Sequence, residues 1–433
     1  MTNRRIDVKV PFITRVEGEA SLELTAKGDK IENIRLKIIE PPRFFERLVV
    51  GRSFHDVPEL SARICGICPL AYQLTSILAF ERLFGIDLPQ PLKQLRRVFN
   101  LAEWIQSHAL HIHFLALPDF LGFNNALDMA KAHKAEFERG VRIQGFGNQV
   151  MAMLGGRSVH PIGLKVGGFG KLPEAGKLKE LGEKAKETRI LAAELVRFCG
   201  KLNRPDFSHS FNYVSLKSGL DYPINSGNIV GACDLDISQK AYPDYFKEHQ
   251  EPHSTALYYL LKGQDYLVGP LARYNNNREY LDEGTKALAK DAGLEGESLN
   301  MFDSILIRAL EIHYACGEIE RLLREYSPPD SASVEFTAKA GWTCAVTEAP
   351  RGLIYHAYKV NERAEIESCA IIPPTSQNQA RIEADLRASV ESFGLHHSDE
   401  ALKQFCEQVI RNYDPCISCS THFLNLTLNR KPL

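Results

Sequence analysis

Two Cys-x-x-Cys pairs carry the clearest chemical signal: Cys65-Gly66-Ile67-Cys68 and Cys416-Ile417-Ser418-Cys419, one near each end of a 433-residue chain. Each pair presents two thiolates to one centre, as soft metal ions require. A single pair could serve as a redox dithiol; two suggest a four-sulfur metal site. Spacing alone leaves three readings open: structural zinc, a catalytic or redox metal, or no shared site. Zinc ribbons usually keep their pairs within a few tens of residues, whereas a site joining these two would be closed by the whole fold. The other six cysteines, Cys199, Cys233, Cys316, Cys344, Cys369 and Cys406, are isolated and suit small buried apolar positions.

The background composition is that of a globular protein. Hydrophobic residues make up 44% and charged residues 24%, which supplies enough apolar surface to offset ordering entropy and excludes a disordered chain. A net charge of −2 gives no basic footprint for nucleic acid. No apolar run approaches the roughly 18 residues that span a bilayer. The N-terminus lacks the apolar core of a secretory signal, so the chain reads as cytoplasmic.

The elements that must position the cysteines are mainly helical. Residues 6–40 alternate apolar and polar, as in Val8-Lys9-Val10, with a turn at Gly28-Asp29-Lys30, and predict a small antiparallel sheet. A short helical stretch follows at 43–56. Helical spacing starts directly after the first cysteine pair, over 69–85, and again from Pro91 to about Leu117. Residues 123–150 and 174–199 read as further helices, the latter ending at Gly200. Residues 201–290 mix short strands and aromatic loops. A helix over 297–326 ends before Pro328-Pro329; 340–375 are β-rich, 378–411 helical, and the second pair lies in a loop begun by Asp414-Pro415. There is no repeat, low-complexity tract or flexible linker. The expectation is an α+β fold with a long-helix core and peripheral antiparallel strands, residues 1–433 forming one large domain.

The residues flanking the two pairs narrow the choice. Arg63-Ile64-Cys65-Gly66-Ile67-Cys68-Pro69 and Asp414-Pro415-Cys416-Ile417-Ser418-Cys419-Ser420-Thr421-His422 closely resemble the two cysteine signatures of NiFe hydrogenase large subunits. Weaker matches occur in the family's order: Arg15-Val16-Glu17-Gly18, Phe45-Glu46, Gly155-Gly156-Arg157 with His160-Pro161 and Gly167-Gly168, Glu348-Ala349-Pro350-Arg351-Gly352, and Pro374-Thr375-Ser376-Gln377-Asn378. Nearly the whole chain is covered. Length and composition are most similar to the cytoplasmic NAD(P)-linked hydrogenases, also called sulfhydrogenases, in which the complex can also reduce sulfur.

The resemblance implies a nickel–iron centre whose iron carries one CO and two cyanide ligands. Cys65 and Cys416 would be terminal nickel ligands; Cys68 and Cys419 would bridge to iron. Heterolytic splitting of H2 releases a proton that a base must take, and the resemblance points to the Cys416 thiolate, with Glu17 relaying the proton outward. Arg351 would sit beside the diatomic ligands and the open metal position. Pro350 and Thr375 would line the same pocket, Thr375 as a donor to a cyanide nitrogen. Glu46 and His422 match protein ligands of a second ion, magnesium or iron, together with a carbonyl near Ile371 or Ile372.

Three departures stand out. Tyr72 occupies the place of the family's usual His, exchanging a titratable ring for a phenol that donates one hydrogen bond. Ser107 stands where many relatives carry Asp, which removes a carboxylate partner expected for the arginine. His108, His111 and His113 follow on the same helix, as core or supporting residues rather than ligands. Eleven residues, Phe423 to Leu433, extend beyond His422, the point after which an endopeptidase cuts most relatives once metal-inserting chaperones have acted. They are either a removable extension or a retained tail.

The chain has no GxGxxG fingerprint, and its remaining cysteines are not spaced for iron–sulfur clusters. Electrons would therefore leave through an iron–sulfur small subunit and then a flavin and iron–sulfur module that reduces NAD(P), with a deazaflavin or ferredoxin as other acceptors. The competing functions are an H2-sensing regulatory subunit, a scaffold like that of respiratory complex I, and a zinc scaffold. The complex I homologues lack the metal cysteines, so the four cysteines, Glu17 and His422 argue against that reading.

Overall fold

The computed structural model describes residues 5–232 and 234–421. Cys233, His422 and residues 423–433 lie outside them. The chain opens with a three-stranded antiparallel sheet, β1 Arg5–Val10, β2 Ala20–Lys27 and β3 Lys30–Ile38, in the order β1-β2-β3. Val8 faces Leu24 and Leu22 faces Leu36. Every second residue of β1 is buried, as the alternation requires.

Two short helices, α1 Phe45–Val49 and an unlabelled turn of helix at Val57–Ala62, lead to the first cysteine loop. The predicted helix over 43–56 is thus confined to five residues, followed by turns. Helix α2, Pro69–Phe84, begins immediately after Cys68 with proline in its first turn and ends at Gly85 in the left-handed region. Helix α3, Gln90–Leu110, passes without interruption into a π-helical stretch, His111–Ala116, which sequence periodicity did not reveal.

Three more long helices complete the core: α4 Lys134–Gly155, α5 Ala175–Gly200 and, after a short α6 Pro270–Asn277, α7 Ser304–Arg324. Helix α7 packs along α5 and α3, α3 along α4, and α4 along α5, so the four close on one another. From Ser304 to Cys316 every residue of α7 is buried.

The β-rich C-terminal region is a second three-stranded antiparallel sheet, β4 Gly341–Ala349, β5 Gly352–Val360 and β6 Ile366–Ile372. Its central strand is buried on both faces because α2 covers one side and the segment around Val214–Lys217 approaches from another. Ala349 pairs with Gly352, leaving Pro350-Arg351 as a two-residue turn. Gly352 is indispensable there: its φ is +132°, and a Cβ would fall 2.7 Å from Val268 and 2.8 Å from the Gly269 nitrogen. The expected helix over 378–411 is two helices, α8 Pro374–Phe393 and α9 Asp399–Asn412. Gly394, at φ +98°, ends the first, and the Ser398 side chain caps the second by accepting from the Ala401 N–H.

Candidate metal centre

The first cysteine loop is anchored from behind. Glu103, buried on α3, accepts the Leu70 N–H at 2.7 Å and the Ala71 N–H at 3.0 Å, two donors that the start of α2 otherwise leaves unmet. That fixes Cys68, which immediately precedes α2. Within the loop, the N–H groups of Ile67 and Cys68 point at Cys65 Sγ, at 3.4 and 3.2 Å.

The second loop is anchored by the N-terminal segment. Glu17 and Cys416 form a parallel bridge, with the Ile417 N–H donating to the Glu17 carbonyl at 2.9 Å. Gly18, at φ +89°, permits that approach: a Cβ would lie 2.6 Å from Glu40 Oε1 and 2.8 Å from the Ile417 Cβ. Across the loop, the Cys416 N–H donates to Thr375 Oγ1 at 2.9 Å. Thr375 thus accepts from the backbone, and its own hydroxyl hydrogen remains to be donated elsewhere.

These anchors bring the two pairs together. Cys65 Sγ lies 3.0 Å from Cys68 Sγ and 3.4 Å from Cys416 Sγ. The Cys65, Cys68 and Cys419 sulfurs all fall within 4.8 Å of one another. All four residues are buried. Burial opposes ionisation of Cys65, but hydrogen bonding with the neighbouring Cys416, Cys419 and Cys68 sulfurs, and the Arg351 guanidinium nearby, overcome it and hold Cys65 well below the ordinary thiol range. Burial and the neighbouring sulfurs push Cys416 up.

Glu17 is half-buried against this cluster. Its Oε2 accepts from the Cys416 thiol at 3.2 Å and from the Ser418 N–H at 3.1 Å. Burial, reinforced by charge on Cys65, raises its carboxyl above the usual range. A carboxyl so placed can exchange a proton with Cys416 Sγ directly. Beyond it, Ser418 Oγ donates to Glu40 Oε1 at 3.1 Å.

Arg351 approaches the cluster from the β4–β5 turn. Its Nε donates to the Asp414 carbonyl and its Nη2 to Asp414 Oδ1, both at 2.9 Å. The carboxylate partner missing at Ser107 is therefore supplied by the second cysteine loop itself. Burial works against this cation, but Asp414 and the Cys416, Cys68 and Cys65 sulfurs raise it well above the ordinary arginine range. Asp414 also meets Arg308 of α7 at 3.4 Å. From there Arg308 donates to His108 Nδ1 (3.2 Å), and His108 Nε2 donates to Glu311 (2.8 Å). Glu311 also pairs with Arg273, whose other contacts are Glu348 Oε2 at 3.0 Å and the carbonyls of Ala349 and Pro350, both at 2.9 Å. This chain of buried charges holds the Pro350-Arg351 turn from below. Burial holds His108 down at about 4 and His111 at about 3, so both rings are neutral at physiological pH.

Several buried polar atoms of this region have no hydrogen-bond partner among the described residues: Arg351 Nη1, Tyr72 Oη and Ser107 Oγ. Leaving such donors unmet costs about 1–3 kcal/mol each. Tyr72 is wholly buried and lies near all four cysteine sulfurs, whose charge raises its phenol along with burial. Unmet donors around four converging thiols fit a centre that carries acceptor ligands of its own. At the expected second ion site, Glu46 on α1 accepts the Ile371 N–H at 2.7 Å, and burial raises its carboxyl to about 7. It forms no ion pair among the described residues, which suits a position awaiting a cation. His422 lies outside the described residues.

Sequence reasoning missed Asp414 as the partner of Arg351, and with it Arg308, Glu311 and Arg273. Asp414 adjoins the second signature, so its position was the available signal. The α7 residues gave none, since a charged pair three apart on a helix usually marks a solvated face.

Comparison with known proteins gives the family. Residues 43–145 and 240–422 match the family model described as nickel-dependent hydrogenase. The chain is 33% identical to sulfhydrogenase 1 subunit alpha of Pyrococcus furiosus, covering 98% of this chain and all of that one. It is 26% identical to the NAD-reducing hydrogenase HoxS subunit beta of Cupriavidus necator, over 95% and 94% of the two chains. Among solved structures, an NAD+-reducing [NiFe]-hydrogenase in the H2-reduced state superposes with a TM-score of 0.87 at 25% identity, over 98% of this chain and 100% of that one. The chain belongs to the nickel-dependent hydrogenases, as the catalytic large subunit of a NiFe hydrogenase. No helix among the described residues is long and apolar enough to cross a membrane.

Proposed function

We propose that this chain activates H2 for a multi-subunit, cytoplasmic hydrogenase that exchanges electrons with NAD(P) through an iron–sulfur small subunit and a flavin-bearing module. The observation that carries the reading is the convergence of four buried thiols from opposite ends of the chain, with Glu17 and Arg351 beside them. The relatives named for sulfhydrogenase and NAD reduction favour NAD(P) as acceptor and leave sulfur reduction within the reach of the complex.

Cys65, Cys68, Cys416 and Cys419 would hold the nickel–iron centre. When bound, that centre supplies the open position and the redox chemistry for heterolytic cleavage of H2. The chain's own residues then have separable tasks. Cys416 Sγ takes the proton, and Glu17 Oε2, 3.2 Å away, receives it. Asp414 fixes two edges of the Arg351 guanidinium, and the buried Nη1, without a partner among the described residues, would be a donor for ligands of the iron. Pro350 lines that pocket, and the Thr375 hydroxyl supplies a donor there. Glu46, with His422, would hold a magnesium or iron ion that closes the C-terminal side. Residues 423–433 would be removed by an endopeptidase after metal insertion by chaperones, and the whole chain acts as one catalytic unit.

The experiment is an infrared spectrum of the matured complex. One CO band with two cyanide bands is expected, since these ligands absorb where neither water bending nor amides do. Their absence from properly matured protein would overturn the reading. Reduction of NAD+ or NADP+ under H2 by the same preparation then identifies the acceptor and separates an enzyme from a sensor.

A further inference from the structure

Most contacts that shape the cysteine loops reach only one of them. The Ile67 and Cys68 N–H groups fold the first loop onto its own sulfur, and Gln106 Nε2 holds the Ile67 carbonyl at 2.5 Å. The second loop is held by Glu17, Thr375 and Arg351. Between the loops, the sulfur contacts are weak ones: Cys65 to Cys416 at 3.4 Å and the Cys419 thiol to the Ile64 carbonyl at 3.9 Å.

Arg43 is the exception. It lies in the loop between β3 and α1, beside Phe44, whose φ of +53° turns the chain. One nitrogen, Nη2, donates both to the Ile64 carbonyl, at 2.8 Å, and to the Ser418 carbonyl. Ile64 immediately precedes Cys65, and Ser418 immediately precedes Cys419. The Arg43 backbone N–H donates to the Thr421 carbonyl at 2.7 Å, and the guanidinium rests 5.3 Å from the centre of the Phe45 ring. One residue therefore ties the first loop, the second loop and the end of the described chain.

We propose that Arg43 is a positioning residue that holds the two cysteine loops in register before metal enters, and so sets the affinity of the four thiols for a divalent ion. The proposal rests on the four cysteines being metal ligands. With only weak sulfur contacts joining them directly, the two loops can separate before a metal binds. Hydrogen bonds from a cation to two carbonyls, one on each loop, oppose that separation and need no metal to form. Preorganisation of this kind lowers the ordering cost of binding rather than adding a contact to the ion.

The test uses cobalt(II) as the probe on the full-length, metal-free chain, followed by its thiolate-to-cobalt absorption. Wild-type protein is expected to show the tetrathiolate spectrum; its absence would overturn the metal-ligand reading, and this proposal with it. Arg43→Met keeps the side-chain length and removes the donors. It is expected to weaken cobalt binding roughly tenfold or more, with unchanged circular dichroism. Arg43→Lys keeps a charged donor and is expected to stay within about threefold of wild type, on the same scale of one charged hydrogen bond. Wild-type affinity in Arg43→Met would overturn the proposal, as would a loss in Arg43→Lys as large as in Arg43→Met. Should Arg43→Met fail to fold, Arg43→Lys decides the matter by the same threshold.

Discussion

The thiol cluster has two unlike walls. On one side Glu17 belongs to an N-terminal segment that is half-buried, and its carboxylate is held by a thiol and a single backbone N–H. On the other, Arg351 is buried at a hairpin turn, clamped twice by Asp414 and backed by Arg308, His108, Glu311 and Arg273. The first wall is built to change its protonation and the second to keep its charge. Burial raises the Glu17 carboxyl, so it takes up a proton more readily than an exposed carboxylate, whereas a guanidinium raised further by Asp414 and the sulfurs cannot lose one.

That contrast can be broken in several ways. Removing the floor common to both walls has the largest effect: Cys65→Ser is expected to abolish nickel retention, measured by metal analysis of the purified chain, and all H2-dependent turnover with it. Glu17→Gln comes next. Turnover should fall by about 10²–10⁴-fold, the usual contribution of a positioned acid–base group, while the infrared bands and metal content stay unchanged; normal turnover in this variant would remove Glu17 from the proton path. Arg351→Lys keeps the charge but loses the bidentate fork to Asp414. A fall of about 10²–10³-fold in kcat is expected, accompanied by shifted CO and cyanide bands, which Glu17→Gln should not produce.

The buried network also makes a prediction about pH. Arg273 is shared between two carboxylates. Glu311, which also receives His108 and Tyr222, is held down at about 2, whereas burial leaves Glu348 at about 7, above its ordinary 4.5. Between those two values the folded chain keeps a proton that the unfolded chain has released. Its contribution to stability is complete below pH 4.5 and is lost as pH rises to about 7. The thermal midpoint of the metal-free chain should therefore decline across that window, and Glu348→Gln should flatten the decline. The smallest effect belongs to Tyr72→Phe. Loss of one donor beside the sulfurs should move the CO band to lower wavenumber, as electron density on the centre rises, with turnover changed by less than about tenfold.

The two walls were also unequally legible. Glu17 and the four cysteines stood out because their signatures are short, local and made of reactive residue types. The small N-terminal sheet and the long helices followed from period and end signals alone. Arg351 was visible as a motif, but its partner was sought at residue 107 of α3 and lies at Asp414, brought there only when α9 delivers the second loop. Arg308 and Glu311 were hidden for a different reason. Their helix is buried all round from Ser304 to Cys316, so it carries no amphipathic stripe against which an inward-facing charge could be noticed. The break at Gly394 was missed because apolar spacing continues on both sides of it.

The meeting of the two cysteine loops has a consequence for how such a molecule is made. Cys65 and Cys416 touch across 351 positions of sequence. At bacterial and eukaryotic elongation rates of roughly 5–20 residues per second, that stretch takes about 20–70 s to synthesise. Throughout it, the first pair of thiols stands on the ribosome without its counterpart, open to oxidation and to any thiophilic ion that passes. The centre is thus among the last features of the newborn chain to come into being, and whatever delivers its metals must either wait for the C-terminus to emerge or guard Cys65 and Cys68 until it does.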